Sequence, residues 1–171
     1  MIASLTLPIP LHVERGTLTL RRAVEGDLRA LMVLLSDDPI SATRGDTASF
    51  ADTAAYGAAL QELVEDPSND LVVVEDGNAD ELVGMMQLTR IPGMARRGAT
   101  RLLIEAVRVH AGRRSGGIGS AMMTWVTTVA APATGARLVQ LTSDEARQDA
   151  HRFYERLGFV GSHRGFKFHV D

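Results

Sequence analysis

Three apolar, β-rich runs follow one another without a helix between them: Leu71–Val74, Leu82–Thr89 and Arg101–His110. Parallel neighbours need a long, usually helical crossover, so strands in direct succession pair antiparallel. Asp76-Gly77-Asn78 supplies hairpin turn chemistry between the first two, and Ile91-Pro92-Gly93 breaks the chain before the third. This excludes a doubly wound parallel sheet and predicts an α+β domain, a mostly antiparallel sheet with helices on its faces.

The flanking segments fit that architecture. Thr17–Arg22 alternates as a first strand, and Val24, Leu28, Leu31, Met32 and Leu35 recur at helical spacing. Pro39 closes that unit, Ser41–Ala48 reads as a loop, and Phe50, Tyr56, Leu60, Leu63 and Val64 mark a second helix ended by Pro67 and Asn69. Beyond the third run, Ile118, Met122, Trp125, Val126 and Val129 form one face of a helix stopped by Pro132 and Gly135. Arg137–Leu141 is a further strand. Thr142-Ser143-Asp144-Glu145 offers a capping box to a last helix carrying Ala146, Ala150, Phe153, Tyr154 and Leu157, with Gly158 as its stop. Phe159–Val170 has the length for two short closing strands around Gly161–Gly165. The expected organisation is an N-terminal extension over 1–16 and a single domain over 17–171.

Composition narrows the function classes. A chain of 171 residues with 45% hydrophobic content builds one core. No apolar run approaches the roughly 20 residues that span a bilayer, and Pro8 and Pro10 without a basic leader argue against a secretory signal, so a soluble cytoplasmic protein is expected. Cysteine is absent, which excludes disulfides, thiolate metal sites and any acyl-cysteine intermediate. A net charge of −3 predicts neither nucleic-acid nor membrane partners, although Arg96, Arg97 and Arg101, and again Arg108, Arg113 and Arg114, leave local anion binding open. Five histidines lack the carboxylate-rich spacing of a metal site; none is predicted.

The segment Arg114-Ser115-Gly116-Gly117-Ile118-Gly119 lies between the longest strand run and an amphipathic helix. Amides from Arg114 to Ser120 at a helix N-terminus can converge on a phosphate, with Arg113 and Arg114 adding charge-assisted bonds. No Lys-Ser or Lys-Thr follows the glycines, and their order is not that of a dinucleotide loop. A tight turn with close packing is the alternative use of such a cluster.

The same six residues resemble the acyl-CoA signature of the GNAT N-acetyltransferase family, in which Gln or Arg is followed by two residues, Gly, one residue, and Gly or Ala. The resemblance extends upstream to Ile104-Glu105-Ala106-Val107-Arg108-Val109 and downstream to Phe153-Tyr154-Glu155-Arg156-Leu157-Gly158-Phe159, and covers the chain from Thr17 onward. It implies the GNAT acyl-CoA N-acyltransferase fold, a three-layer α/β arrangement with helices on both faces. It also implies acetyl-CoA as cofactor, held by Val107, Arg108 and Val109 along the pantetheine arm and by Arg113, Arg114, Ser115, Gly116, Gly117, Ile118, Gly119 and Ser120 at the pyrophosphate. Glu105 corresponds to the family's water-linked general base and Tyr154 to the acid that protonates the departing thiolate. The implied reaction is direct transfer of acetyl to a primary amine in a ternary complex.

Each assignment has a plainer counterpart. Glu105 can be a strand-face carboxylate paired with Arg101 or Arg108, and Tyr154 a core tyrosine, while His110 and His151 are reserve bases. Arg147 stands where many family members carry Asn, and it either meets a phosphate or faces solvent. The functional alternative to an enzyme is an acyl-CoA-binding sensor or interaction module of the same fold. The acceptor is unnamed: segments 39–56 and 161–165 would select it, and small-molecule and peptide amines both fit. A homodimer is compatible with the open edges of so small a sheet.

Overall fold

The computed structural model describes residues 2–170; the outermost residue of each expected unit, Met1 and Asp171, lies outside them. Six strands form one sheet in the order β1-β2-β3-β4-β5-β6: β1 (Ile9–Val13), β2 (Gly16–Arg22), β3 (Asn69–Asp76), β4 (Glu81–Ile91), β5 (Thr100–Val109) and β6 (Ala136–Leu141). The first four pairings are antiparallel and β5–β6 is parallel, which gives the mixed, mostly antiparallel sheet that the unbroken strand succession requires.

Helices α1 (Leu28–Ser36), α2 (Pro39–Ala42) and α3 (Thr53–Glu65) lie on one side of the sheet. Leu31, Leu34 and Leu60 bury there against Leu71, Val73 and Met85. After α4 (Ala95–Gly98), a short turn with Arg96 and Arg97 in the left-handed region, α5 (Ile118–Trp125) crosses the opposite face. There Ile118, Met122, Met123 and Trp125 join Val72, Val74, Met86, Leu102 and Ile104 in the larger core. A wider helical turn leads from α5 into α6 (Ala131–Ala133), and α7 (Gln148–Arg156) packs Phe153, Tyr154 and Leu157 on the same side. Helices on both faces complete the three layers.

Three expectations are corrected. The segment expected as an N-terminal extension supplies the edge strand of the sheet: β1 pairs with β2 from Ile9↔Leu20 to Val13↔Gly16, and Ile2, Leu5 and Leu11 are buried. Its prolines conceal the strand from a pattern reading, yet Pro10 is tolerated because β1 is the sheet edge and needs no outward donor. The capping box at Thr142–Glu145 does not form. Asp144 Oδ1 instead accepts from the Ala146 amide at 2.9 Å, and the helix begins only at Gln148. The two closing strands are also absent: 160–170 carries no regular structure, and Phe166 and Phe168 are 89% and 90% exposed.

Candidate active site

β5 and β6 stay paired only from Thr100↔Ala136 to Ile104↔Leu141. Past Ile104, β5 runs on for five residues beside β4 alone, so its other edge opens where β6 ends. The amide of His110 donates to the Val83 carbonyl on β4 at 3.0 Å. Strand alternation therefore turns the amides of Val107 and Val109 toward the open edge. Their carbonyls are already engaged: Arg108 Nη1 donates to Val107 O at 2.8 Å and Arg114 Nε to Val109 O at 3.1 Å.

A β-bulge sets which side chains face the opening. Met85 is opposite Arg108 and Gln87 opposite Glu105, so Met86 opposes both Ala106 and Val107, with Ala106 at φ 48°. The extra residue puts Val107 and Val109 with Ile104 on the α5 side. Glu105 and Arg108 consequently share the α1–α2 side. Glu105 is exposed and makes no hydrogen bond or ion pair among the described residues; Arg101 contacts Gln140 and Arg108 contacts Ser41. The alternative carboxylate–arginine pairing is thus not formed among the described residues.

The glycine turn follows. No carbonyl of the described residues accepts from the amides of Ser115 to Ser120, whereas the next amide, Ala121, donates to Gly117 O at 2.9 Å. A run of free amides at the start of α5 is a cradle for an anion. Ser115 and Gly117 take φ of 63° and 81°, and a Cβ on Gly119 would lie 3.3 Å from Phe153 Cζ, so the turn also holds α7 close. At Gly117 a Cβ would meet Glu14 Cγ at 3.3 Å as well. Gly117→Ala is expected to destabilise the fold by about 1–2 kcal/mol, measured as a fall in Tm of about 2–8 °C.

The basic residues around the turn hold protein groups. Arg113 pairs with Asp76, while Arg114 Nη2 reaches the Asp37 carbonyl at 2.9 Å. Arg147 neither faces solvent nor stands ready for a phosphate: Nη1 and Nη2 bind Asp38 Oδ2 and Oδ1 at 2.6 and 2.5 Å. This fork ties α7 to α2, where Asp38 also caps the helix by accepting from the Ser41 amide at 2.8 Å. Burial opposes ionisation of Asp38, but the Ser41 amide and the Arg147 guanidinium outweigh it and hold the carboxyl below the usual carboxylate range. Arg108 Nη2 donates to Ser41 Oγ at 2.5 Å, and its Nε has no partner. Sequence reading missed Asp37, Asp38 and Ser41; an Asp before Pro39 was the available signal, an N-cap followed by a proline at the first helical position.

Tyr154 is half-buried from α7, edge-on to Phe153 and Phe159 at 5.1 and 5.8 Å between ring centroids. Burial raises its phenol above the ordinary value of 10.0, and the charges of Arg108 and Arg147 oppose that rise without cancelling it. The hydroxyl donates to no group of the described residues. Its proton is available to a ligand. His110 and His151 serve local structure: His110 Nδ1 accepts from the Gly112 amide at 3.2 Å, and His151 Nε2 lies 2.8 Å from Asp144 O.

The arrangement has close counterparts. Residues 30–159 match the model of the acetyltransferase (GNAT) family. A structure called a transcriptional regulator from Bacillus halodurans C-125 is 40% identical over 90% of this chain and 99% of its own, with a TM-score of 0.83. A Trypanosoma brucei acetyltransferase is 23% identical over 90% and 99%, with a TM-score of 0.68. Glucosamine-6-phosphate N-acetyltransferase from Arabidopsis thaliana is 16% identical over 91% and 100%, with a TM-score of 0.72. Among curated proteins no significant match is found. Among the described residues no helix is long and apolar enough to cross a membrane. With the family model covering most of the chain, and the parted strands and the amide turn lying within it, the protein belongs to the GNAT acetyltransferase family.

Proposed function

We propose that the chain is an N-acetyltransferase that moves acetyl from acetyl-CoA to a primary amine by direct attack in a ternary complex. The observation that carries this reading is the open edge of β5 at the Val107 and Val109 amides, followed after the Ala111–Arg113 turn by the free amides of Ser115–Ser120. A β-strand edge suits the amide-bearing pantetheine arm, and the turn suits the pyrophosphate beyond it. Acetyl-CoA supplies an activated thioester. The rest falls to this chain. The amides of Val107 and Val109 position the arm, with Arg108 between them held to β4; Arg113 and Arg114 brace the turn through Asp76 and Asp37. Glu105, unpaired on the α1–α2 side, takes the proton from the incoming ammonium through water. Tyr154, on α7, returns a proton to the leaving sulfur.

A thermal-shift series separates the ligand classes: CoA and acetyl-CoA are expected to raise Tm, and stabilisation by ATP but not by CoA excludes the reading. Thiol release with an amine panel then tests turnover. The neighbour called a transcriptional regulator favours one second reading, an acyl-CoA-sensing module. That module would show the Tm rise with no thiol release for any amine. Glu105→Gln is expected to flatten the acidic limb of the kcat/KM profile and to cost about 10²-fold at neutral pH; an unchanged profile removes Glu105 from the base role.

A further inference from the structure

We propose that Arg108 selects the acceptor: the amine acetylated here carries a carboxylate or phosphate, which docks on the Arg108 guanidinium while Glu105 receives the ammonium. This rests on the transferase reading above and names the class of its second substrate. Three observations carry it.

The first is an unanswered charge. Arg108 is half-buried, and both of its hydrogen bonds go to neutral oxygens, Nη1 to Val107 O at 2.8 Å and Nη2 to Ser41 Oγ at 2.5 Å. A guanidinium has donors to spare beyond those two, and here Nε is buried with no partner. Among the described residues Arg108 forms no ion pair, whereas Arg113, Arg114 and Arg147 around it each meet a carboxylate. The carboxylates that act on it from a distance are already engaged: Asp38 by Arg147 and the Ser41 amide, Asp46 by the Tyr56 hydroxyl at 2.6 Å. Burial lowers the pKa of Arg108, Asp38 offsets only part of that, and Arg147 adds to the fall. Arginine nevertheless stays protonated in proteins. A covered cation with no anion in contact is costly until one arrives.

The second is placement. The bulge puts Glu105 and Arg108 on the same side of β5, three residues apart, a span of about 10 Å at most along a strand. Glu105 is unpaired and Arg108 lacks a contacting anion, so one strand face presents a carboxylate and a guanidinium beside the open edge. A molecule with an ammonium at one end and an anion at the other matches both. Burial raises the pKa of the Tyr154 phenol, and Arg108 and Arg147 are near enough for their charges to oppose that rise. An acceptor anchored on Arg108 therefore lies beside the group assigned to protonate the leaving sulfur.

The third is rigidity. Ser41, which receives the Arg108 bond, is 2% exposed within α2, and α2 is fixed by the Asp38 cap and by the fork from Arg147 on α7. Arg44 pairs with Asp144 and ties the segment after α2 to the approach to α7. The guanidinium is thus held in one orientation before any ligand binds, as two-pronged recognition of a carboxylate or phosphate requires. The same arrangement rejects polyamines. A second ammonium in place of the anion would face Arg108 and Arg147 and leave the guanidinium unanswered.

The test is a series of matched amines, each offered with acetyl-CoA and followed by thiol release: amino acids against their amides, and aminoalkyl phosphates against the parent amino alcohols. Wild type is expected to prefer the anionic member of one kind of pair by about 10²-fold in kcat/KM, the factor that a charge-assisted fork supplies. Whichever kind of pair shows it names the anion. The preference should lie in KM for the amine, with KM for acetyl-CoA unaltered. Arg108→Met is expected to bring the ratio within each pair to about one, and Arg108→Lys, charged but unable to fork, to keep part of it. Circular dichroism checks that both variants fold; if Arg108→Met does not, the wild-type ratio and Arg108→Lys still decide. Equal rates within every pair, a preference for spermidine over the amino acids and phosphates, or a preference that survives Arg108→Met would overturn the anchor and leave the transferase reading in place. Failure of every amine to release thiol would instead remove that reading, and the anchor with it.

Discussion

Replacing Tyr154 by phenylalanine is expected to lower kcat about 10²-fold or more while leaving the affinity for CoA within about a factor of two. A positioned acid contributes that much when the leaving group is basic, and a hundredfold corresponds to about 2.7 kcal/mol of transition-state stabilisation. The ring contacts with Phe153 and Phe159 survive the change, so the loss isolates the hydroxyl. Burial, which raises the phenol's pKa, keeps the proton in place across the neutral range. The decisive readout is the leaving group: an acyl donor whose departing atom needs no proton, such as an activated aryl ester, should react equally well with both proteins. If the variant loses the same factor with that donor, Tyr154 only packs.

The second large effect concerns the fork between Asp38 and Arg147. Asp38→Ala leaves Arg147 and the partly buried Arg108 facing each other without their shared counter-charge, and also removes the cap of α2. Breaking such a pair from one side costs about 3–5 kcal/mol when it is buried. The side chains here are 21% and 15% exposed, so the lower end is expected, a Tm fall of roughly 6–12 °C. The pair also has a pH signature. Because the folded carboxyl lies below its ordinary value, its contribution is complete above the unfolded aspartate pKa, about 3.9, and is lost as pH falls through the folded value. Wild type and Asp38→Ala should accordingly converge in stability in acid and differ at neutral pH; a constant difference across that range would mean that the carboxylate charge is not what matters.

What could be read from the chain in advance was what neighbours in sequence decide. The strands over 71–110, the glycine turn and the apolar stripe of the last helix are local patterns, whereas the roles expected of Glu105 and Tyr154 come from the family resemblance and not from any pattern of their own. The features that escaped notice depend on pairing. The bulge at Ala106 exists only in the register of β5 against β4. Asp38 and Arg147 stand 109 residues apart, so neither announces the other. β1 was hidden by Pro8 and Pro10, whose cost vanishes only at an edge. The tail failed in the opposite sense: its alternation is that of a strand, yet residues 160–170 carry no regular structure.

The left-handed residue at Ala106 makes β5 a strand that changes phase partway along. The residue is an insertion into an otherwise regular alternation: Glu105 and Ala106 both fall on the α1–α2 side, and Val107 and Val109 return to the side of Ile104. Deleting Ala106 would leave an unbroken period of two, with Ile104, Val107 and Val109 still on one face and Glu105 and Arg108 on the other. A second residue inserted there would instead trade the faces, driving Arg108 into the core and turning Val107 and Val109 out of it. A one-residue insertion beside 106 should therefore lower Tm more than a one-residue deletion at 106. The cleft's chemistry is in this sense a matter of counting as much as of side chains: it depends on parity along the strand.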